Sequence, residues 1–307
     1  MGDVLTIRGI SKKYKNHFAV NGVNMHIDRG DIYGFVGENG SGKTTVIRLI
    51  TGLIYPCAGD FTLFGVDSNS SDIGKARSRM GAIVETPSIY MNMSAYDNLK
   101  TQSLVLGIQD EEKILAALKD VGLADLYTNK KHAGDFSLGM RQRLGIAMAL
   151  LGEPEFLILD EPMNGLDPAG IVEIRELILR LNRERGITFL ISSHILTELS
   201  LVATKYGIIS KGKIIQEITA EQLHNHCAKT TQIVADNQEK LSACVEAMGL
   251  SNAKEYIPGG IKLIGELDLT EVLGHLISNG VKLHSVNCNE TSFEEYYLSV
   301  IGGGANV

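Results

Sequence analysis

The 307-residue chain has no run of 18 or more apolar residues, so no segment of it is expected to cross a membrane as a helix. No charged n-region leads into an apolar h-region at its start, which argues against a cleaved signal peptide. Met1 to Thr6 fits the loose pattern for myristoylation, but the alternation Val4-Leu5-Thr6-Ile7-Arg8 is better explained as a first strand. Cysteine is sparse: Cys57, Cys227, Cys244 and Cys288 are scattered with no C-x-x-C pair, the usage of a reducing compartment and not of a disulfide framework. His224-Asn225-His226-Cys227 matches no zinc-ligand spacing. Lysine and arginine form no long run, and with a formal net charge of -7 nucleic acid is not an expected partner. Repeats and low-complexity segments are absent as well.

What is present is ordinary in bulk and specific in detail. The length suggests about two domains, and 44% hydrophobic with 21% charged residues is a globular composition. Asp31 to Val36 is an apolar run with strand character, and Val46 to Ile50 has apolar residues at helical spacing. Between them lies Gly37-Glu38-Asn39-Gly40-Ser41-Gly42-Lys43-Thr44-Thr45, a P-loop in its required strand–loop–helix setting. Its glycines let backbone N–H groups turn inward around a polyphosphate at a helix N-terminus. Lys43 is then expected to reach the β- and γ-phosphates and the Thr44 hydroxyl to ligate Mg²⁺. A chance match somewhere in a chain of average composition is on the order of one per cent. The motif implies a nucleoside triphosphate.

Along the chain, strands are expected at 4–10, Phe18 to Ile27, Gly59 to Val66 and Ala82 to Val84, with a polar loop at Lys12 to Asn16. A helical insert covers about 88–151, with helices opening at Ser94 and Asp110 and a last one at Leu144 to Leu151. Phe156 to Leu159 and Thr188 to Ser192 are further strands, Ile171 to Glu184 is helical, a helix follows His194, and Tyr206 to Ser210 and Lys213 to Glu217 close the first domain near residue 218. Strands alternating with helices imply a largely parallel α/β core. From 219 to 307 the pattern changes to strand, helix, hairpin, helix, strand: Thr230 to Ala235, a helix capped by Asp236 to Glu239 and running to Met248, Ala253 to Pro258 with Ile261 to Gly265, Leu269 to Ser278, and Val281 to Val286. That βαββαβ order is the ferredoxin-like α+β unit. A last helix is capped at Thr291 to Glu294, and the Gly302-Gly303-Gly304 tail is expected to fray.

Asp160-Glu161-Pro162 follows the apolar run at 156–159, placing Asp160 to hold Mg²⁺ and Glu161 to act as general base for water. Phe136 to Arg143 puts Ser137 at a helix N-cap with Gly139 allowing close approach, a second anion site. Asn164-Gly165-Leu166-Asp167 and Ser192-Ser193-His194 complete the series. In this order these motifs resemble the ATP-binding subunits of ABC transporters over roughly residues 4–217. The resemblance implies an α/β P-loop ABC-type ATPase that binds ATP and Mg²⁺ between two head-to-tail copies, each P-loop facing the other copy's Ser137–Gly139 segment. It also implies that Tyr14 stacks on adenine, that His194 contacts the γ-phosphate, and that Asn164 to Asp167 bridge the two sites. Integral membrane permease subunits are the implied partners, holding this chain at the cytoplasmic face of the membrane.

Two departures from the common family pattern stand out. Leu138 and Met140 replace Gly and Gln in the signature segment, while Ser137 and Gly139 are kept. Glu85 replaces the usual Gln at the strand end that senses Mg²⁺ and water; a carboxylate can still coordinate Mg²⁺ but adds charge beside the phosphates. Glu85-Thr86-Pro87-Ser88-Ile89-Tyr90, with Asn98-Leu99 and the extra C-terminal unit, resembles the bacitracin-resistance and lantibiotic-immunity branch. The expected function is therefore to power an exporter of peptide antibiotics. The alternatives are another cargo (drug, lipid or cation), or a soluble ABC-type ATPase without membrane partner, which the single ATPase domain and the lack of long coiled-coil insertions disfavour. Met91 and Met93 could serve a pliable docking surface or simply pack. The C-terminal unit could bind a regulatory ligand, but no site in it stands out.

Overall fold

The computed structural model describes residues 2–227, 229–250, 254–265 and 267–302. Its contacts divide the chain into two compact units, Met1–Ala220 and Glu221–Val307.

In the first unit, β1 (Asp3–Tyr14) and β2 (His17–Asp28) form a long antiparallel hairpin. The segment expected as a polar loop, Lys12 to Tyr14, belongs to β1; the strand extends through register shifts after Ile7 and Ile10, so its apolar alternation breaks while its pairing continues. β3 (Ile32–Val36) leads into α1 (Lys43–Thr51), whose Val46, Ile47, Leu49 and Ile50 are buried. The stretch expected as one strand over 59–66 is two, β4 (Ala58–Leu63) and β5 (Val66–Asp67), because Phe64 turns the chain at φ 50°. A short α2 (Ile73–Arg77), too brief for its periodicity to show, precedes β6 (Met80–Ile83).

The helical insert follows, with α3 (Ala95–Val105), α4 (Glu111–Asp120), two short 3₁₀ turns and α5 (Leu138–Leu150). Ser94 caps α3 in a reciprocal box with Asp97. β7 (Phe156–Asp160), α6 (Pro168–Arg185), β8 (Thr188–Ser193), α7 (Leu196–Ser200), β9 (Lys205–Ser210) and β10 (Lys213–Thr219) complete the unit. Asp167 caps α6 and Pro168 occupies its first turn, which starts this helix three residues earlier than the apolar pattern implies.

One sheet has the order β2-β1-β4-β5; the other has the order β10-β9-β3-β8-β7-β6. In the second, β9, β3, β8, β7 and β6 run parallel, with β10 antiparallel at the edge. β3, β7 and β8 are buried along their whole length, as strands covered on both faces must be. Because β3, β8 and β7 are neighbours, the ends of three strands converge, and those ends carry the P-loop, His194 and Asp160-Glu161. Such convergence at the carboxyl ends of a parallel sheet is where α/β folds bind ligands.

The second unit contains α8 (Ala220–Cys227), β11 (Thr230–Ala235), α9 (Gln238–Ala247), β12 (Lys254–Ile257), β13 (Gly260–Ile264), α10 (Leu269–Ser278), β14 (Leu283–Asn289) and α11 (Phe293–Ile301). Its sheet order β12-β13-β11-β14, antiparallel throughout, is the ferredoxin-like arrangement expected from the element order. Of the sequence expectations, the first residue of the hairpin, Ala253, and Gly303 and Gly304 of the tail lie outside the described residues. Ile233, Leu241, Val245, Ile261, Leu263, Val272 and Leu276 build its core.

At Gly260 an added Cβ would run into the Ile233 carbonyl and sit 2.9 Å from Val234 Cα. All of these are backbone atoms of β11, which cannot swing aside as a side-chain end would. Gly260→Ala is therefore expected to destabilise this unit by about 1–3 kcal/mol. Hydrogen exchange would report it: β11 and β13 amides lose protection while β3, β7 and β8 keep theirs.

Candidate nucleotide site

The P-loop conformation depends on Gly42. It lies at φ 113°, and a Cβ there would come within 2.6 Å of the Ala19 carbonyl oxygen. Only glycine combines that backbone angle with that approach to β2. The next residue, Lys43, is 6% exposed and folds back over its own loop, its Nζ donating to the Gly37 carbonyl at 2.6 Å and the Glu38 carbonyl at 3.3 Å. Ser41 Oγ is buried with no hydrogen-bond partner. A buried hydroxyl left open at a helix N-terminus fits an anion that supplies its missing bond.

From the neighbouring strands come the acids. Asp160 ends β7 and is 2% exposed; its Oδ2 accepts from Thr44 Oγ1 at 2.9 Å and its Oδ1 from Ser192 Oγ. Asp160 and Ser192 are register partners across β7 and β8. Glu161 follows at φ 51°, a left-handed conformation that costs a non-glycine residue roughly 1–3 kcal/mol. Its N–H is held by Ser192 Oγ at 3.0 Å and by the Ser192 carbonyl at 3.2 Å, which fixes the turn. The Glu161 carboxylate points into the site between two groups, with Oε1 3.3 Å from Lys43 Nζ and Oε2 2.8 Å from His194 Nδ1. One connected network thus holds Lys43, Thr44, Asp160, Glu161, Ser192 and His194. Its oxygen ligands, the Thr44 hydroxyl and the Asp160 carboxylate, suit a hard divalent cation.

The remaining expected residues stand outside that network. Tyr14 ends β1 with 45% exposure, its ring 5.6 Å from Lys12 Nζ. Ser137 caps α5, accepting from the Met140 N–H at 3.2 Å, and is exposed with Leu138. Among the described hydrogen bonds none joins Ser137 or Gly139 to 37–45 of the same chain. Asp167 caps α6 through the Gly170 N–H at 3.1 Å. Glu85 pairs with Arg48 Nη2 at 2.6 Å. The sequence marks Ser192 only as part of Ser192-Ser193-His194, with no role of its own, and carries no signal for Arg48.

A buried Lys on a Gly-rich loop, a hydroxyl–carboxylate pair and a strand-end Glu held beside a His define a P-loop ATPase site. The ABC transporter family pattern matches residues 20–164. The chain is 40% identical to the bacitracin transport ATP-binding protein BcrA of Bacillus licheniformis over 99% of both proteins. It is 44% identical to the lantibiotic transport ATP-binding protein SrtF of Streptococcus pyogenes over 70% of this chain and 90% of that one. A solved structure, cbiO1 of Clostridium perfringens, part of the ABC transporter complex cbiONQ, superposes with TM-score 0.66 at 28% identity, covering 73% of this chain and 91% of the other. The chain belongs to the ABC transporter ATP-binding proteins and is an ATPase subunit of that family. Among the described residues no helix is long and apolar enough to cross a membrane.

Proposed function

We propose that this chain powers export of a peptide antibiotic, giving bacitracin-type resistance or lantibiotic immunity, as a symmetric pair bound to membrane permease subunits. The observation that carries this reading is similarity to a bacitracin transport protein through both units of the chain, the second included. Glu85 and its flank Thr86 to Tyr90, which resemble that branch, support the same reading. The lantibiotic relative matches at higher identity but over 70% of the chain, so both cargo classes belong in the test.

In the mechanism we infer, the 37–45 loop wraps the ATP phosphates with its N–H groups, and Lys43 leaves the Gly37 and Glu38 carbonyls to neutralise phosphate charge. Tyr14 stacks on adenine. Thr44 and Asp160, whose hydroxyl and carboxylate already pair, would hold Mg²⁺ with Glu85 as a further oxygen ligand, and the cation would neutralise phosphate charge there. Glu161 takes the proton of the attacking water, while His194 orients its carboxylate and contacts the γ-phosphate. The Ser137–Gly139 helix end, which among the described residues makes no hydrogen bond to 37–45 of its own chain, closes over the nucleotide of a second copy. ATP binding then joins the pair and hydrolysis reopens it, moving the permease subunits at the cytoplasmic membrane face.

Expression with the neighbouring permease genes should protect cells against bacitracin or a lantibiotic in a growth-inhibition panel, and Glu161→Gln should abolish that protection. No protection against any member of the panel, with the permease demonstrably in the membrane, would move the assignment to another cargo.

A further inference from the structure

Glu85 lies just past β6 at φ 63°, and its Oε1 accepts from Arg48 Nη2 at 2.6 Å. Arg48 sits four residues after Thr44 on α1, so the two side chains leave the same helix face one turn, about 5.4 Å, apart. Thr44 bonds Asp160 at one end of that interval; Arg48 holds Glu85 at the other. The Glu85 carboxylate, the further oxygen ligand of the proposed site, therefore has two partners to choose between. One is the guanidinium it holds here, and the other is the oxygen pair suited to a divalent cation.

The Arg48 backbone is anchored: its carbonyl accepts from the Leu53 N–H at 2.9 Å and the Ile54 N–H at 3.2 Å, closing the end of α1. The Glu85 end is tied elsewhere. Pro87, two residues on, packs so closely on α5 that a Cβ at Gly145 would lie 2.5 Å from Pro87 Cβ. The Glu85 segment is thus held to the P-loop helix through an ion pair and to the signature helix through an apolar contact.

We propose that Arg48 is a positioning residue that engages the Glu85 carboxylate in an ion pair, so that metal–nucleotide binding competes with the Arg48–Glu85 pair. The inference rests on the nucleotide site proposed above. It also explains how the Glu85 charge is accommodated beside the nucleotide site: Arg48 counters it until a cation takes over. The pair is 39% and 59% exposed. Exposed pairs are weak, so the pair biases metal binding by about two- to fivefold and does not block it.

The test is Mn²⁺ affinity, read by electron paramagnetic resonance on the full chain with a non-hydrolysable ATP analogue. Arg48→Ala should tighten Mn²⁺ binding about two- to fivefold, while Arg48→Lys, which keeps the charge, stays near wild type. With Glu85→Gln already present, adding Arg48→Ala should change nothing. An unchanged Mn²⁺ affinity in Arg48→Ala overturns the proposal. So does an equal shift with and without Glu85, which would make Arg48 a structural residue of α1. A wild-type chain that binds neither analogue nor Mn²⁺ would instead bring down the nucleotide site, and this inference with it.

Discussion

Glu161→Gln is expected to lower ATP hydrolysis by roughly 10²–10⁴-fold while leaving ATP binding intact. The Glu161 carboxylate lies between Lys43 Nζ at 3.3 Å and His194 Nδ1 at 2.8 Å. The amide keeps the size and one acceptor oxygen but is no base at neutral pH, so a water proton has nowhere to go. Removing a negative charge that faces the polyphosphate should also leave ATP affinity unchanged or tighter. The backbone turn at φ 51° survives, because it is held by Ser192 and not by the carboxylate. Equilibrium nucleotide binding alongside single-turnover hydrolysis separates the two effects. Near-normal turnover in this variant would remove Glu161 from the role of base.

Lys43→Ala acts at the earlier step. Lys43 is 6% exposed, and its ammonium is satisfied by two loop carbonyls and the Glu161 carboxylate. When phosphate arrives, the same group is the cation nearest the loop, and losing one partner of a buried charge pair costs about 2–5 kcal/mol, or roughly 30-fold and more in affinity. Truncation also frees the Gly37 and Glu38 carbonyls, so a thermal melt should accompany the binding measurement to separate loop collapse from lost phosphate contact. Unchanged ATP affinity in a folded variant would contradict the P-loop assignment.

The two substitutions separate cleanly because they fail at different steps. Lys43→Ala should leave little nucleotide bound to hydrolyse. Glu161→Gln should trap it. If the Ser137–Gly139 end of a second copy closes on bound ATP as proposed, the trapped variant should also be the one that accumulates as a pair.

Much of this protein could be read before folding because its chemistry sits in contiguous segments. The loop 37–45 needs only its glycines and its strand–helix setting, and Asp160-Glu161 needs only the apolar run before it. Caps are equally local: Ser94, Asp110 and Ser137 each accept a backbone N–H within three residues of themselves, while the box expected over Asp236 to Glu239 gives way to a cap one residue on, Asn237 accepting from Lys240. The ferredoxin-like unit was legible because its alternation of strand, helix and hairpin constrains the sheet order to very few solutions.

What the tertiary structure alone decided is everything that depends on which strands are neighbours. Nothing in the sequence says that β8 lies between β3 and β7, yet that order lets Ser192 bond both Asp160 and Glu161, and brings His194 to the Glu161 carboxylate. Pairing also overrode local pattern at Lys12 to Tyr14, where ladder hydrogen bonds to β2 hold a polar segment in a strand. Arg48 and Glu85 are 37 residues apart, and their ion pair forms only because α1 and the end of β6 meet in space. Local chemistry follows from spacing along the chain, so the sequence specified the phosphate loop and the acids. Long-range partners follow from sheet order, so only the folded molecule assigned the groups that hold those acids in place.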